Sequence, residues 1–207
     1  PAQMDVGLHV DLTETRLQGV RSGCKTPLRT LIIASYRGQL DAAWLTGEVA
    51  RQLDLFEDHM QRPPDFVDGH QHVHQLPQVR DALFAELLRR YPEEPPRPWL
   101  RCTRPALRGT GVLGAGAVNA CKAQVIAWLG ASAFAEQAAQ HGFAMNRALA
   151  GVYGFDVDAD RYQQLLGVWL QRSRHGDVLM CHPSASVVPG DAIASARCME
   201  YQVLASD

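Results

Sequence analysis

Apolar and polar residues follow two different periods along this chain. The stretch "VGLHVDL" (6–12) alternates with a period of two and puts His9 and Asp11 on the face opposite its aliphatic residues, which predicts a half-buried strand. Apolar residues at helical spacing predict amphipathic helices over 46–60 and 78–91. Strands and helices are therefore expected to alternate from the first residues onward.

The rest of the pattern predicts an α/β protein with a parallel sheet. Short apolar runs and helical stripes predict strands at 65–68, 99–103 and 177–182 and helices near 117–140, 158–173 and 191–205, with mostly loop over 13–40 and a flexible loop over 109–117. Strands that alternate with helices are typical of βα units. The run at 177–182 is nearly all apolar, which is typical of a strand buried on both faces. These strands are too few to close an α/β barrel.

The composition is that of an ordinary globular protein. The chain has 207 residues, 46% of them hydrophobic and 20% charged, which fits a single domain over 1–207. Its formal net charge of -2 predicts no nucleic-acid-binding or anionic membrane-binding surface. No apolar stretch approaches the roughly 20 residues of a membrane span. Five scattered cysteines without a C-x-x-C pair predict reduced, mostly buried thiols and a cytoplasmic location.

The segment "DGHQHVH" (68–74) holds three of the chain's eight histidines. Asp68, His70, His72 and His74 share parity, so an extended segment would direct all four side chains to one side. At the rise of a strand they would spread over roughly 20 Å, so at most one or two could bind a single ion unless the backbone turns. The others are expected to orient the ligands or to contact substrate.

Three histidines come at or just after the ends of predicted strands: His9, His70 and His182. Parallel α/β folds assemble their active sites at that edge. His9 and His70 supply nitrogen donors, and a carboxylate would complete an open three-ligand metal site. His182, in "MCHPS", is expected to transfer protons. A lone histidine on a strand is more often a hydrogen-bonded structural residue, and that alternative stays open at each position.

Five segments, in chain order, carry a resemblance to a known family. They are "VGLHVDLT" (6–13), "PDFVDGHQHVHQLPQV" (64–79) and "GDVLMCHPS" (176–184), with weaker matches in "NRALAGVYGF" (146–155) and "ARCMEYQVLAS" (196–206). They resemble the signature blocks of the YdjC-like carbohydrate deacetylases, a family that includes chitooligosaccharide deacetylases and hopanoid-biosynthesis-associated members. The resemblance covers nearly the whole chain, and its central block is quite specific.

The resemblance implies a variant (β/α) barrel of the NodB-like glycoside hydrolase/deacetylase type. It also implies hydrolysis of an N-acetyl group on an amino sugar or chitooligosaccharide. The family binds a divalent metal through one aspartate and two histidines, which by motif are His9 and His70. The metal is expected to be Mg2+, with Zn2+ as the alternative that nitrogen donors favour. His182 matches the histidine of the "MCHP" block and is the candidate acid that protonates the leaving amine, or a support to the site.

One departure from the family pattern concerns the third ligand. Family members carry a strand ending in Asp-Asp-(Phe/Tyr)-Gly well before the "GLH" block, and that motif supplies the aspartate ligand and the general base. No such motif occurs in these 207 residues, so we expect an N-terminally incomplete domain that lacks its first strand-helix unit. Asp11, on the His9 face of its strand, is an alternative donor.

Three functional hypotheses stay open. The leading one is a metal-dependent deacetylase of a small acetylated amino sugar, in which four residues bind substrate or support the ligands: Asp68, His72, His74 and Arg101. Arg101 is equally compatible with an ordinary surface position. The second hypothesis is another metal-dependent barrel amidohydrolase or phosphoesterase. The third is a degenerate, non-catalytic sugar-binding member, because the Asp-Asp motif is missing. Related barrels often pair, so a homodimer is compatible with each.

Overall fold

The structure, a computed structural model, describes residues 4–13, 26–92, 97–105 and 129–206. Its helices and parallel strands confirm the predicted mixed α/β class. Within the described ranges the chain falls into two compact units, one made of residues up to 102 with 129–145 and the other of 103–105 with 146–206. The prediction of one domain over 1–207 stays a prediction.

The first unit is a parallel sheet with helices. In chain order its elements are β1 (Leu8–Val10), α1 (Leu28–Tyr36), α2 (Ala42–Met60), β2 (Phe66–Gly69), a 3₁₀ segment (His70–Gln75), α3 (Pro77–Arg90), β3 (Trp99–Leu100) and α4 (Ala131–Gln140). The strand order is β1-β2-β3, and each neighbouring pair is parallel. Strands and helices together bury an apolar core that includes Leu45, Leu53, Val67, Phe84 and Leu100.

The register of this sheet decides which side chains become neighbours. His9 of β1 lies directly opposite Asp68 of β2 in the parallel ladder. Arg101 directly follows β3, and its backbone N–H donates to the carbonyl of Val67 at 3.2 Å. Three adjacent strands therefore end at the same edge with one histidine, one aspartate and one arginine, as expected for parallel strands.

The helix predicted over 78–91 is confirmed. α3 begins at Pro77, whose missing N–H is one that the first turn of a helix leaves without an intrahelical partner. Val79, Leu83 and Leu87, which lie on the predicted apolar stripe, are all buried. The hydrophobic period thus located both the helix and the face that it buries.

α2 begins earlier than the predicted 46–60. Asp41 caps it, because its carboxylate accepts the backbone N–H groups of Ala43 and Trp44. The helix ends at Met60, and the following Gln61 adopts a left-handed conformation with φ of 54°. An aspartate cap rather than an apolar residue therefore sets the start of this helix.

The second unit comprises β4 (Ala148–Ala150), α5 (Ala159–Arg172), β5 (Asp177–Leu179) and α6 (Ala194–Leu204). β4 and β5 form a two-stranded parallel sheet. Its core is mostly aromatic, with Tyr153, Tyr162 and Trp169 packed beside Leu165. The helices predicted near 158–173 and 191–205 are confirmed as α5 and α6.

Several sequence predictions about local structure are wrong. Part of the predicted loop over 13–40 is the helix α1, which buries Leu31 and Ser35. The strand predicted over 177–182 is only Asp177–Leu179, and it is half-buried rather than covered on both faces. Of the three cysteines that the structure describes, Cys102 is buried, Cys198 is half-buried and Cys181 is exposed, so the expectation of mostly buried cysteines is confirmed at Cys102 and fails at Cys181. β4 was not predicted at all, because three small apolar residues give no periodic signal.

Other predictions are confirmed only in part or lie outside the described ranges. The strand predicted over 99–103 is the two-residue β3, and the helix predicted over 117–140 is described only as Ala131–Gln140. The predicted loop over 109–117 lies among residues that the structure does not describe. Across the described part of the chain, the strands form two parallel sheets and do not close into a ring. None of the described helices is long and apolar enough to cross a membrane.

A network of charged side chains joins α2 to α3. The guanidinium of Arg90, 9% exposed, donates to Glu86 at 2.5 Å, to Glu57 at 2.6 Å and to Asp54 at 2.5 Å. Neighbouring Arg89 also donates to Glu86, at 2.7 Å, but its side chain is 65% exposed. The two arginines bind the same carboxylate and differ in burial, so substitutions at the two positions can be compared directly.

We expect Arg90→Ala to lower the free energy of unfolding by about 2 kcal/mol, because it removes the more buried of the two arginine partners of buried Glu86. Chemical denaturation followed by far-UV circular dichroism measures this change. Arg89→Ala, the matched control, should change the free energy far less, because the Arg89 side chain is exposed and solvent screens its charge. Equal losses in the two variants would contradict the assignment.

The same contact predicts a dependence on pH. Burial alone would oppose ionisation, but hydrogen bonds from Arg89 and Arg90 hold the pKa of Glu86 below its ordinary value. Its contribution is therefore present above the unfolded pKa of about 4.3 and is lost as pH falls through the lower folded value. The difference in unfolding free energy between wild type and Arg90→Ala should shrink over that acidic range in denaturation experiments.

Candidate functional site

His9 and His70 face each other at the C-terminal edge of the first sheet. His9 comes from β1, and His70 begins the 3₁₀ segment directly after β2. The two rings meet edge to face with centroids 5.4 Å apart, and His9 Nε2 lies 3.4 Å from His70 Nδ1. Two nitrogens that each lie about 2.1 Å from one tetrahedral ion would be roughly 3.4 Å apart. The spacing therefore fits two adjacent ligands of a single cation.

Asp68 orients His9. Its Oδ1 lies 2.5 Å from His9 Nδ1, across the register that makes the two residues neighbours. A carboxylate at this distance accepts a hydrogen bond from Nδ1–H, which leaves the Nε2 lone pair available towards His70. Metal-binding histidines use this carboxylate–histidine arrangement to fix their tautomer and ring orientation.

Arg101 holds the charge of Asp68 in place. Its Nη1 donates to Asp68 Oδ2 at 2.8 Å, and its Nη2 donates to the carbonyl of Gly69 at 2.7 Å. Burial alone would raise the pKa of Asp68, but the hydrogen bond from His9 and the charge of Arg101 lower it overall. Both members of the pair are buried, so the interpretation of Arg101 as a surface residue is wrong.

His74 forms a hydrogen bond with the backbone and does not point towards the other two nitrogen donors as a third one. It is fully buried, and its Nε2–H donates to the carbonyl of Arg101 at 2.9 Å. Burial, and then the positive charge of Arg101, lower its pKa to about 3. Its ring also meets Phe134 edge to face at 5.0 Å. His74 is thus a neutral residue whose hydrogen bond links the 3₁₀ segment to the backbone just after β3.

His72 also turns towards Arg101. Arg101 Nη2 lies 3.3 Å from His72 Nδ1, which must accept because a guanidinium can only donate. Burial and the charge of Arg101 hold the pKa of His72 well below its usual value. His72 is therefore neutral in this arrangement.

The backbone of "DGHQHVH" departs from the extended conformation on which the shared parity of its side chains depended. Gln71 and His72 have φ of 50° and 61°, which is left-handed and costly for residues other than glycine. A Cβ at Gly69 would lie 2.8 Å from the backbone nitrogen of His74, so only glycine fits there. The expectation that four side chains point to one side is wrong. The turn instead sends His70 towards His9 and the later histidines towards Arg101.

The structure brings six of the seven predicted site residues into one connected cluster in the first unit: His9, Asp68, His70, His72, His74 and Arg101. The alternative donor Asp11 instead accepts the N–H of Thr13 at 2.7 Å. No group of three His, Cys, Asp or Glu residues stands in a metal-binding arrangement among the described residues. The described cluster thus offers two nitrogen donors that fit a cation, without a third.

His182 belongs to the second unit. Its backbone N–H donates to Glu200, a buried residue of α6, and its ring meets Phe155 edge to face at 5.3 Å. Sequence reasoning missed Glu200. The only available signal was an acid within an apolar helical stretch, and that signal alone does not distinguish a buried carboxylate from a solvated one.

A protein-family model described as YdjC-like protein matches residues 1–207. The chain belongs to the YdjC-like protein family. This YdjC-like chain is 30% identical over 207 residues to a human protein named carbohydrate deacetylase, an alignment that covers 88% of this chain and 59% of the human protein. A mouse protein of the same name is 46% identical over 65 residues, which are 31% of this chain and 18% of the mouse protein. The chain therefore spans 59% of the length of its human relative.

A solved structure shares the fold of this YdjC-like chain. The crystal structure of a proposed cellobiose-phosphate cleavage protein from Enterococcus faecalis V583 aligns with a TM-score of 0.61. The alignment covers 99% of this chain and 70% of that protein at 15% sequence identity. At this identity the likeness concerns the fold alone.

We expect Asp68→Asn to lower the free energy of unfolding by about 3 kcal/mol, because it leaves the buried guanidinium of Arg101 without a countercharge. Urea denaturation measures the change. Asp81→Asn is the matched control, since Asp81 pairs with Arg80 at 3.3 Å with a side chain 62% exposed. Comparable stabilities for the two variants would show that the Asp68–Arg101 pair does not stabilise this edge.

Proposed function

We propose that this chain is part of a metal-dependent deacetylase that removes the N-acetyl group from an amino sugar or chitooligosaccharide. Membership of the YdjC-like family and the name of the human relative, carbohydrate deacetylase, support the reaction class. The observation that carries the metal dependence is the 3.4 Å spacing of His9 Nε2 and His70 Nδ1, with Asp68 bound to the other nitrogen of His9.

His9 and His70 would hold the cation of the proposed enzyme. When bound, a divalent cation supplies Lewis acidity towards the acetyl carbonyl and lowers the pKa of a bound water towards neutrality. We propose Mg2+, the ion that the family resemblance implies. Zn2+ is the alternative, because two imidazole nitrogens suit zinc better than magnesium. The remaining donor would be the aspartate of the family's Asp-Asp motif, which these 207 residues do not contain.

The other members of the cluster would keep the two donors in place. Asp68 fixes the Nδ1–H tautomer of His9, and Arg101 keeps Asp68 ionised and directed at that nitrogen. His72 and His74 are neutral and engaged with Arg101, so they would support the site rather than bind the ion. Two neutral imidazoles also avoid adding positive charge beside a cation.

His182 would act as the acid of the reaction. An amine is a poor leaving group, so a positioned imidazolium must give its proton to the nitrogen as the C–N bond breaks. Removal of such an acid typically costs about 10²- to 10⁴-fold in rate. This role needs no metal contact at His182.

The proposal extends to the fold and surroundings of the protein. We propose that the parallel strands belong to a variant (β/α) barrel of the NodB-like type. We also propose that the enzyme works in the cytoplasm on a small acetylated sugar, and that it pairs as a homodimer.

We expect His70→Ala to abolish both binding of the divalent ion and release of acetate from diacetylchitobiose. Isothermal titration with Zn2+ and with Mg2+ measures binding directly, and an enzymatic acetate assay measures turnover. His59→Ala is the control, because His59 is an exposed histidine of α2 whose Nδ1 lies at hydrogen-bond distance from the carbonyl of Leu55 in the same helix. A His70→Ala protein with wild-type metal affinity would refute the ligand assignment.

The same assays on the wild-type chain distinguish the three hypotheses. Bound metal with acetate release supports the deacetylase, and bound metal with turnover of phosphoesters alone supports the other barrel hydrolase. Neither metal nor turnover, also in a longer chain that carries the Asp-Asp segment, supports a non-catalytic member. A longer chain that carries an Asp-Asp-(Phe/Tyr)-Gly segment then tests whether the missing aspartate restores binding.

We expect His182→Ala to lower kcat by about 10²- to 10⁴-fold while metal affinity stays unchanged. Acetate release at saturating substrate and metal titration together measure the two effects. His175→Ala, an exposed histidine beside the end of α5, serves as control. Loss of metal binding in His182→Ala would reassign His182 from acid to ligand.

A further inference from the structure

Glu200 is a buried carboxylate that the proposed chemistry has not yet used. It lies in α6 and is fully inaccessible to solvent. The hydroxyl of Tyr153 donates a hydrogen bond to Glu200 Oε1 at 2.6 Å, and the backbone N–H of His182 donates one to Oε2. The carboxylate therefore receives hydrogen bonds from two segments that lie 47 and 18 residues away in the chain.

The imidazole of His182 stands beside the same carboxylate. Its Nδ1 lies 3.8 Å from Glu200 Oε1, within ion-pair distance and longer than a hydrogen bond. Burial alone would raise the pKa of Glu200, but its bonds with His182 and Tyr153 lower it overall. The negative charge is therefore retained next to the ring.

The ring of His182 also contacts an aromatic side chain. Phe155 meets His182 edge to face at 5.3 Å, and Phe155 itself has φ of 62°. A bulky residue in the left-handed region is costly, and such strain concentrates where a side chain must be placed accurately. Phe155 and Glu200 thus both constrain His182.

Another nearby acid does not compete with Glu200. Asp191 interacts with His182 only through its charge, and Arg197 binds the Asp191 carboxylate at 2.5 Å. The same arginine lies 3.4 Å from the carbonyl of His182. Among the described residues, Glu200 is the carboxylate that both bonds the backbone of His182 and faces its ring nitrogen.

We propose that Glu200 is a positioning residue for His182, holding the loop through the backbone N–H and directing the Nδ1–H of the ring towards its carboxylate. The proposal rests on the proposed function in one respect, namely that His182 is the acid of the reaction. A lone pair on Nδ1 would repel the carboxylate, whereas an N–H is attracted to it. The tautomer with the proton on Nδ1 is therefore favoured, and Nε2 becomes the atom that exchanges protons with substrate.

The tautomer can be measured on the wild-type protein without any assay of activity. Nitrogen-15 NMR distinguishes the protonated and unprotonated ring nitrogens of neutral histidine, and a His182→Gln spectrum assigns the signal. We expect the Nδ1–H form to predominate at His182. Predominance of the Nε2–H form would overturn the proposal, and this outcome requires no activity from any variant.

Two variants at the carboxylate supply the matched comparison. Glu200→Gln keeps the shape and removes the charge, and we expect it to lose the preference for the Nδ1–H form. It should lower kcat by about 10²-fold with KM changed less than about twofold, a smaller loss than that of a carboxylate hydrogen-bonded directly to its histidine, because Glu200 lies 3.8 Å from Nδ1. Tyr153→Phe keeps the carboxylate, so its His182 should retain the Nδ1–H signal.

The outcomes separate this inference from the proposed function. An inactive longer protein that carries the Asp-Asp segment and shows the Nδ1–H form, lost in Glu200→Gln, supports the positioning contact while refuting the deacetylase. An active wild type whose tautomer is unchanged in Glu200→Gln overturns the inference and leaves the deacetylase standing. Equal kcat and tautomer changes in Glu200→Gln and Tyr153→Phe would also overturn it, because general disruption of the second unit would then explain both.

Discussion

The candidate site depends on one buried charge, the carboxylate of Asp68. A carboxylate taken out of water is costly unless charged and hydrogen-bonding groups replace its hydration. Asp68 obtains them from His9 on one oxygen and from Arg101 on the other. Because each partner ends a different strand of the same sheet, satisfying this one charge also fixes three strand ends relative to each other. The orientation of His9 is a consequence of that arrangement.

The strand register determines that His9 and Asp68 become neighbours. His9 and Asp68 lie directly opposite each other in the parallel pair, with the buried Val10 and Val67 beside them in the two strands. A slip by one residue would turn His9 to the other face and would move Val10 out of the core. The hydrophobic core and the polar cluster therefore select the same register, and neither can be changed without a cost to the other.

The hydrophobic period predicted the helices better than it predicted the site. The stripe of α3 is buried as expected, since its apolar residues must face the core whatever the neighbouring elements are. The turn at Gln71 and His72 could not be predicted, because left-handed residues other than glycine persist only when tertiary contacts enforce them. The same holds for Arg101, whose sequence neighbours do not reveal that it is buried against Asp68.

Each of the two units pairs a histidine with a carboxylate at Nδ1, but at different distances. Asp68 lies 2.5 Å from His9, whereas Glu200 lies 3.8 Å from His182 and bonds its backbone instead. A short contact fixes one tautomer firmly, which suits a nitrogen that must offer a constant lone pair to an ion. A longer contact orients the ring without a direct hydrogen bond to Nδ1, which suits a residue proposed to act as an acid. In the proposed enzyme the two distances would match two different chemical roles, with His9 donating electrons to the cation and His182 donating a proton to the substrate.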